Sequence, residues 1–380
     1  MSRPDVLVLG GGIIGLACAR VLVREGLSVE VVERLSAGAE ASTAAAGMLA
    51  PLSETPVPGP FLDACRASRD LWPSWVAGLQ EESGLAIDYD TGGAFHLALG
   101  EEEETGLDRL ALGAAEIGEP AVEVEPAVLA HRIPGVSPEV RRALHLLGEH
   151  RVDNIQACAA LAVACRRLGV ILSYGVHIEE VRRQGDGVRV MGHGYTRDAG
   201  CLVLAAGAWS GGVGGRGGLP PLPVRPVRGQ MMLLAGIDWP WKGTVRGTPF
   251  YAVRRGATGL LVGATVEEAG FSAHTTPAGI ESLLAFVRRY LPGLAGARLE
   301  TLWAGLRPGT PDGLPILGPL PEWPVVVATG HYRNGILLAP WTAEQVALLI
   351  SAGAIGSAGA SNEDDPFSPS RFLAEATVRR

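Results

Sequence analysis

Gly10, Gly12 and Gly15 fall in a G-x-G-x-x-G spacing between two apolar runs, 6–9 and 29–32, and a carboxylate, Glu33, closes the second run. Glycine at the first position permits a tight turn. At the second it lets a pyrophosphate approach the backbone, and at the third it lets a helix pack closely on a strand. A helix opening on Ile13 and Ile14 would turn its unpaired N–H groups and positive dipole end toward those phosphates. Glu33, about 20 residues beyond the glycines, stands where a carboxylate holds the ribose hydroxyls of an adenosine, with Arg34 beside it. The chemistry implied is dinucleotide binding, and the spacing alone does not separate FAD from a nicotinamide cofactor.

Two further stretches could bring bare backbone against a flat cofactor. Residues 36–51 read SAGAEASTAAAGMLAP, a loop with one turn of Ala-rich helix. Ser42 and Thr43 would supply hydroxyls there, and Ala45, Ala46, Gly47 and Met48 a surface almost free of side chains. The apolar run 201–205, expected to be a strand buried on both faces, opens into Ala206, Gly207, Ala208, Trp209 and Ser210. Other chemistries find no support. The eight histidines show no metal-ligand spacing, and Gly207 to Gly211 misses G-x-S-x-G by one position, so no metal site and no serine nucleophile are expected.

The elements that would position these residues follow from periodicity and punctuation. The unit 6–33 reads strand, helix, strand. Residues 60–83 read as a helix with Pro60 at its start and Gly84 past its end, and Pro73 inside it should kink it. Its stripe of Leu62, Cys65, Trp72, Trp75, Val76 and Leu79 is expected to be core. A strand at 93–99 and an acidic helix at 101–117 come next, and 119–142, with interspersed proline and charge, suggests loops. Asp153 can cap a helix running to 168, and Gly169 ends it before a strand at 170–173. Strands at 176–184 and 188–191 flank a turn at Gly185, Asp186 and Gly187. Further strands are expected at 230–234, 248–254, 260–264, 298–306 and 325–329, with helices at 277–291 and 336–350. Residues 307–313 read as a turn, and the tail 351–365 is low in complexity.

Length and composition bound the class. A chain of 380 residues can fill two cores, and a net charge of −8 argues against a nucleic-acid partner. The five cysteines are scattered, with no C-x-x-C, which suits a reduced, cytoplasmic setting. The apolar N-terminal run is broken by Gly10, Gly11 and Gly12, so it is not expected to be a signal peptide, and no stretch is long enough to span a membrane.

Four stretches together resemble the D-amino-acid oxidase superfamily of flavoproteins, and within it the glycine oxidase branch. They are 10–33, AAAGMLAP at 44–51, WAGLRPGTPDGLPILG at 303–318 and GHYRNGILLAP at 330–340, with YAVRR at 251–255 and GATVEEAGF at 263–271 between them. The resemblance implies an α/β fold. Its Rossmann-like FAD-binding domain would be assembled from 1–87, 145–222 and 305–380. Residues 88–144 and 223–304 would form an α+β substrate domain with a mainly antiparallel sheet. It implies non-covalent FAD, an amino acid substrate such as glycine, O2 as acceptor, a homo-oligomer, and thiazole synthase as a candidate partner in thiamine biosynthesis. Sarcosine or D-amino acids, or a dehydrogenase of the same superfamily, are the alternatives.

Arg307 would hold the substrate carboxylate, as its planar fork suits a bidentate partner. Tyr251 and Arg333 would line the same pocket, with Val266 and Pro249 bearing on substrate range. His331, Arg333, Asn334, Gly335, Ile336 and Leu337 would meet the flavin, the N–H groups at the helix start favouring negative charge on it. No side-chain base is expected, since the family's chemistry is hydride transfer from the substrate Cα. Where relatives carry Asp-Pro before the central helix, this chain has Asp153-Asn154, a change expected to be harmless.

Overall fold

The computed structural model describes residues 2–213, 218–353, 356 and 365–373, so most of the low-complexity tail lies outside the described residues. The architecture is set by a six-stranded sheet in the order Ile316–Pro319, Val325–Thr329, Cys201–Leu204, Val6–Leu9, Val29–Glu33 and Ile171–Tyr174. All its pairings are parallel except that of Ile316–Pro319 with Val325–Thr329. Side chains alternate between faces with a period of two. Val6, Val8, Val31 and Val203 pack against the helices Ile13–Arg24, Pro60–Ser83, Asn154–Arg167 and Gly335–Ser351. Leu7, Leu9, Val32, Leu202 and Leu204 pack on the other face against Ile178, Val181, Val188 and Val190 of a three-stranded antiparallel sheet. Both faces are thus covered, which explains why these strands read as continuous apolar runs.

A second, eight-stranded sheet is mainly antiparallel, in the order Arg298–Gly309, Arg225–Ala235, Gly259–Gly263, Tyr251–Arg255, Thr244–Arg246, Ala94–Ala98, Arg142–Leu146 and Ala121–Glu123. Its one parallel pair joins Thr244–Arg246 to Ala94–Ala98. Met232, Val245 and Val262 face the amphipathic helix Pro277–Tyr290, where Leu283, Phe286, Val287 and Tyr290 complete a core. The alternate residues Met231, Val253 and Leu261 face the other way, toward Ala46. This sheet therefore turns one side to the small-residue stretch and roofs it.

Several local expectations are met. The stripe on Pro60–Ser83 is buried, and the helix runs through Pro73 to Ser83. Asp153 accepts hydrogen bonds from Ile155 N and Gln156 N, as a capping carboxylate should. Others are corrected. Residues 119–142 are not all loop: they hold the strand Ala121–Glu123 and the helix Pro126–Arg132, which Pro126 starts from its first turn. The turn expected at 307–313 begins only after Gly309, because Arg307 and Pro308 pair with Val227 and Pro226. The strand expected from 248 starts at Tyr251, after a turn in which Gly247 N donates to Phe250 O.

Candidate active site

One cavity of about 1180 Å³ runs from the glycine turn of the six-stranded sheet to the roof of the eight-stranded one. Pockets for single small molecules span roughly 300–1,000 Å³. This one has room for a dinucleotide and a small substrate end to end.

At one end Gly10, with φ +113°, passes so close to the Ala205 carbonyl that a Cβ would overlap it. A Cβ on Gly15 would overlap Gly10 O, so Gly15 packs the helix onto the strand and does not itself line the cavity. Gly12, Ile13 and Ile14 do line it, at the start of a helix whose N-cap residue, Gly12, has no side chain to cap it. The Glu33 carboxylate accepts from Gly11 N and Leu35 N, both at 2.8 Å, and keeps lone pairs for further donors. Arg34 pairs with Glu40 and stacks 3.7 Å above the Trp209 ring, which in turn packs on Phe271. Ala206 and Gly207 adjoin Trp209 on the same wall. Glu40, which the sequence reading passed over, has φ +69° and lines the cavity.

The middle wall is the small-residue stretch. Ser42, Ala45, Ala46, Gly47 and Met48 line the cavity, while Thr43 lies behind them with its hydroxyl 3.5 Å from Glu40 O. Ser42 Oγ accepts from Ile13 N at 3.0 Å, so this wall is pinned to the glycine turn. Opposite, the helix Gly335–Ser351 starts against the cavity at Gly335 and Ile336. Asn334 is its N-cap residue and sits behind the wall. Leu337 is core, and its carbonyl accepts from Ser68 Oγ and Trp72 Nε1. Apart from Glu344 and Gln345 its helix is almost wholly apolar, so periodicity gave little cue to which face meets the cavity.

His331 lines the cavity, yet burial drives its imidazole down to about 3, and Nε2 pairs with Thr342 Oγ1 at 3.0 Å. It is neutral at working pH. Unfolded, the same group binds a proton near pH 6.5, so its contribution to stability is present above that pH and is lost as pH falls toward 3. Urea midpoints should therefore drop less between pH 7.5 and pH 5 in His331→Asn than in the wild-type protein. An equal drop in the two proteins would refute the assignment.

The far end holds the charges. Arg307 donates to the Thr265 carbonyl at 3.0 Å, which fixes one nitrogen and leaves further donors to the cavity. Tyr251 stands beside it, its hydroxyl 3.7 Å from Met231 Sδ, and burial raises the phenol above its ordinary value, so it remains a neutral donor. Arg307, Glu54, Arg246 and Arg333 all act electrostatically on that phenol. Glu54 forms a 2.7 Å ion pair with Arg246 and a looser one, 3.7 Å, with Arg333. Arg246 is also within electrostatic reach of the buried Glu149, and Glu267 on the same wall pairs with Arg228, whereas Arg307 has no ion pair among the described residues and is the guanidinium left for an anion. Val266 and Pro249 line the same end, with Val266 about half exposed at 51%.

The sequence reading missed Arg246, Glu54 and Gly229. Arg246 lies on a strand of three residues, too short to carry a period. Gly229 matters because a Cβ there would overlap the Arg307 guanidinium. A flexible side-chain end can yield, so Gly229→Ala should fold normally and displace the anchor. Steady-state kinetics should show KM for an amino acid raised roughly tenfold or more, in line with misplacing one charged hydrogen-bonding group. Unchanged KM would mean the guanidinium does not set capture.

The residues fit an FAD. The glycine turn offers the close backbone approach that phosphates need, a carboxylate follows at the ribose position, and the rest of the cavity, walled by Ala45, Ala46 and Gly47, has room for the flavin. Among the described residues no group of His, Cys, Asp and Glu could hold a metal ion, all five cysteines are buried and free, and no helix is long and apolar enough to cross a membrane.

Comparison with known proteins agrees. The chain is 38% identical over 380 residues to the bifunctional protein ThiO/ThiG of Synechocystis sp., covering 98% of this chain and 54% of that one. It thus spans about half the length of the first curated relatives it matches. It is 32% identical to the glycine oxidase of Bacillus licheniformis, covering 92% of this chain and 93% of that protein. The crystal structure of glycine oxidase from Geobacillus kaustophilus superposes with a TM-score of 0.90 at 33% identity, covering 98% and 99% of the two chains. A family-wide profile, DAO, matches residues 5–349, and the chain belongs to that family of FAD dependent oxidoreductases.

Proposed function

We propose that the chain is an FAD-dependent amine oxidase whose preferred substrate is glycine. The observation that carries the reading is the pairing of a dinucleotide cradle at one end of a cavity with a carboxylate anchor at the other. Bound FAD would supply the acceptor for a hydride from the substrate Cα, leaving the amino acid as its imine, and O2 would take up the two electrons as hydrogen peroxide. Gly10, Gly12, Ile13, Ile14, Glu33 and Arg34 hold its adenosine diphosphate part, and Ser42, Ala45 to Met48, Ala206, Gly207 and Trp209 wall the rest. Arg307 grips the substrate carboxylate and Tyr251 adds a neutral donor. The first-turn N–H groups of Gly335 and Ile336 offer positive potential to anionic charge at their wall. Positioning and electrostatics are the protein's contribution.

The names of the bifunctional relatives support a thiazole synthase as the consumer of the imine. Five free thiols suit a cytoplasmic setting. A half-exposed Val266 on the cavity wall favours sarcosine or a D-amino acid as the second reading. The test is a visible spectrum of purified protein before and after glycine is added without oxygen. Bleaching of a yellow protein, with peroxide formed when air returns, is the expected result. Bleaching by sarcosine or D-alanine but not by glycine would move the substrate, and a colourless protein that refuses FAD would overturn the reading.

A further inference from the structure

Beyond the hydrogen bond from Ile13 N to Ser42 Oγ, the wall that carries Ser42 has little of its own to hold it in place. Its helix, Ala41–Ala44, is four residues long and buries none of them. So short a helix is unstable alone, and its last carbonyls have no partners within it. Side chains from three distant elements supply those partners. Asn154 Nδ2 donates to Ser42 O at 2.6 Å and to Thr43 O at 3.2 Å. Trp303 Nε1 donates to Ala44 O at 3.1 Å, and Arg255 reaches Ala45 O at 3.4 Å. The same guanidinium donates to Asn154 Oδ1 at 2.7 Å and forms an ion pair with Asp153 at 2.9 Å. Asn154 is wholly buried. All four carbonyls from Ser42 to Ala45 are thereby capped.

The origin of these side chains matters. Arg255 lies four residues beyond Tyr251 on one strand, and Trp303 four residues before Arg307 on another, so each shares a face with a substrate anchor. Between Trp303 and Arg307 stands Gly305, where a Cβ would come 2.6 Å from the Ala44 Cβ.

We infer that Asn154, Arg255 and Trp303 are positioning residues: a carbonyl clamp that locks the cofactor wall to the two strands bearing the substrate anchors. The inference rests on the proposed FAD site and assigns residues to it that the sequence marked as harmless or left unread. Asn154 is the first residue of its helix, and Asp153 before it is already extended, at φ −68° and ψ 102°. A proline is tolerated at such a position, so Asn154→Pro removes the clamp and keeps the helix start. Trp303→Phe removes the indole N–H and keeps a smaller aromatic ring in its place.

The test titrates FAD into the apoproteins of the wild type, Asn154→Pro and Trp303→Phe, following the quenching of flavin fluorescence. Tyr195→Phe, which deletes a hydrogen bond to Glu30 away from the cavity, serves as control. The expected result is a Kd for FAD raised roughly tenfold in both clamp variants, as for a lost buried hydrogen bond. At saturating FAD, kcat should fall several-fold while KM for the amino acid changes less than about twofold, because Arg307 is untouched. Tyr195→Phe should lower the thermal midpoint and leave the Kd unchanged. Clamp variants that bind FAD as the wild type does would overturn the inference, and should Asn154→Pro misfold, Trp303→Phe decides alone. A wild-type apoprotein that takes up no FAD would remove the site reading and the clamp with it.

Discussion

Arg307→Ala should lower kcat/KM for amino acids by two to three orders of magnitude, chiefly through KM, while the protein stays yellow. The guanidinium is held by the Thr265 carbonyl and by the strand Arg298–Gly309, so its free donors are aimed before substrate arrives. A preorganised, charge-assisted pair is the strongest single contact a small zwitterion can make. Truncating one partner of a desolvated charge pair costs about 2–5 kcal/mol, roughly thirty- to several-thousand-fold. Arg333 does not replace it, because its charge is shared with Glu54 and its side chain is 43% exposed. Lysine at 307 should restore only part of the loss, since a point charge cannot reproduce the planar fork. Stopped-flow reduction at varied substrate concentration separates capture from the later step. A variant with wild-type KM would remove Arg307 from the anchor role.

The sequence made the cofactor end legible and the substrate end only partly so, for a physical reason. The glycine turn, its flanking strands and Glu33 lie within about thirty consecutive residues, and local sterics dictate each of them. The buried strands declared themselves because both faces are covered, at Val6–Leu9, Cys201–Leu204 and Val325–Thr329 alike. The substrate end is assembled by a sheet whose eight strands are drawn from positions between 94 and 309 of the chain. Glu54 meets Arg246 across 192 residues and Asn154 meets Arg255 across 101. No local pattern encodes such meetings. Arg307 and Tyr251 were found through the resemblance of their motifs, and Arg246 belongs to none of those motifs. Asn154 shows the limit most clearly. As a departure from Asp-Pro it looked neutral, since either residue starts a helix, and only the fold reveals that its amide caps two carbonyls of a wall 111 residues away.

Gly12→Val should yield a folded but colourless protein, and the packing explains why this glycine separates folding from cofactor binding. At Gly10 and Gly15 an added Cβ would overlap a carbonyl of the turn or of the neighbouring strand, and Gly10 also needs a positive φ. Substitution at either attacks the βαβ unit itself. Gly12 has φ −72°, which any residue adopts, and its Cβ would meet only Ser42 Oγ, at 3.1 Å. A shift of a few tenths of an ångström in a hydroxyl relieves that contact. A branched side chain there therefore spares the fold and fills the space through which a pyrophosphate must reach the helix N-terminus. Far-UV circular dichroism should match the wild type, while absorbance near the flavin bands disappears and added FAD fails to restore it. Alanine, with less bulk, should weaken FAD without abolishing it. A Gly12→Val protein that purifies with a full complement of FAD would mean that the phosphates approach elsewhere, and the whole alignment of the cavity, adenosine at Glu33 and substrate at Arg307, would lose its fixed point.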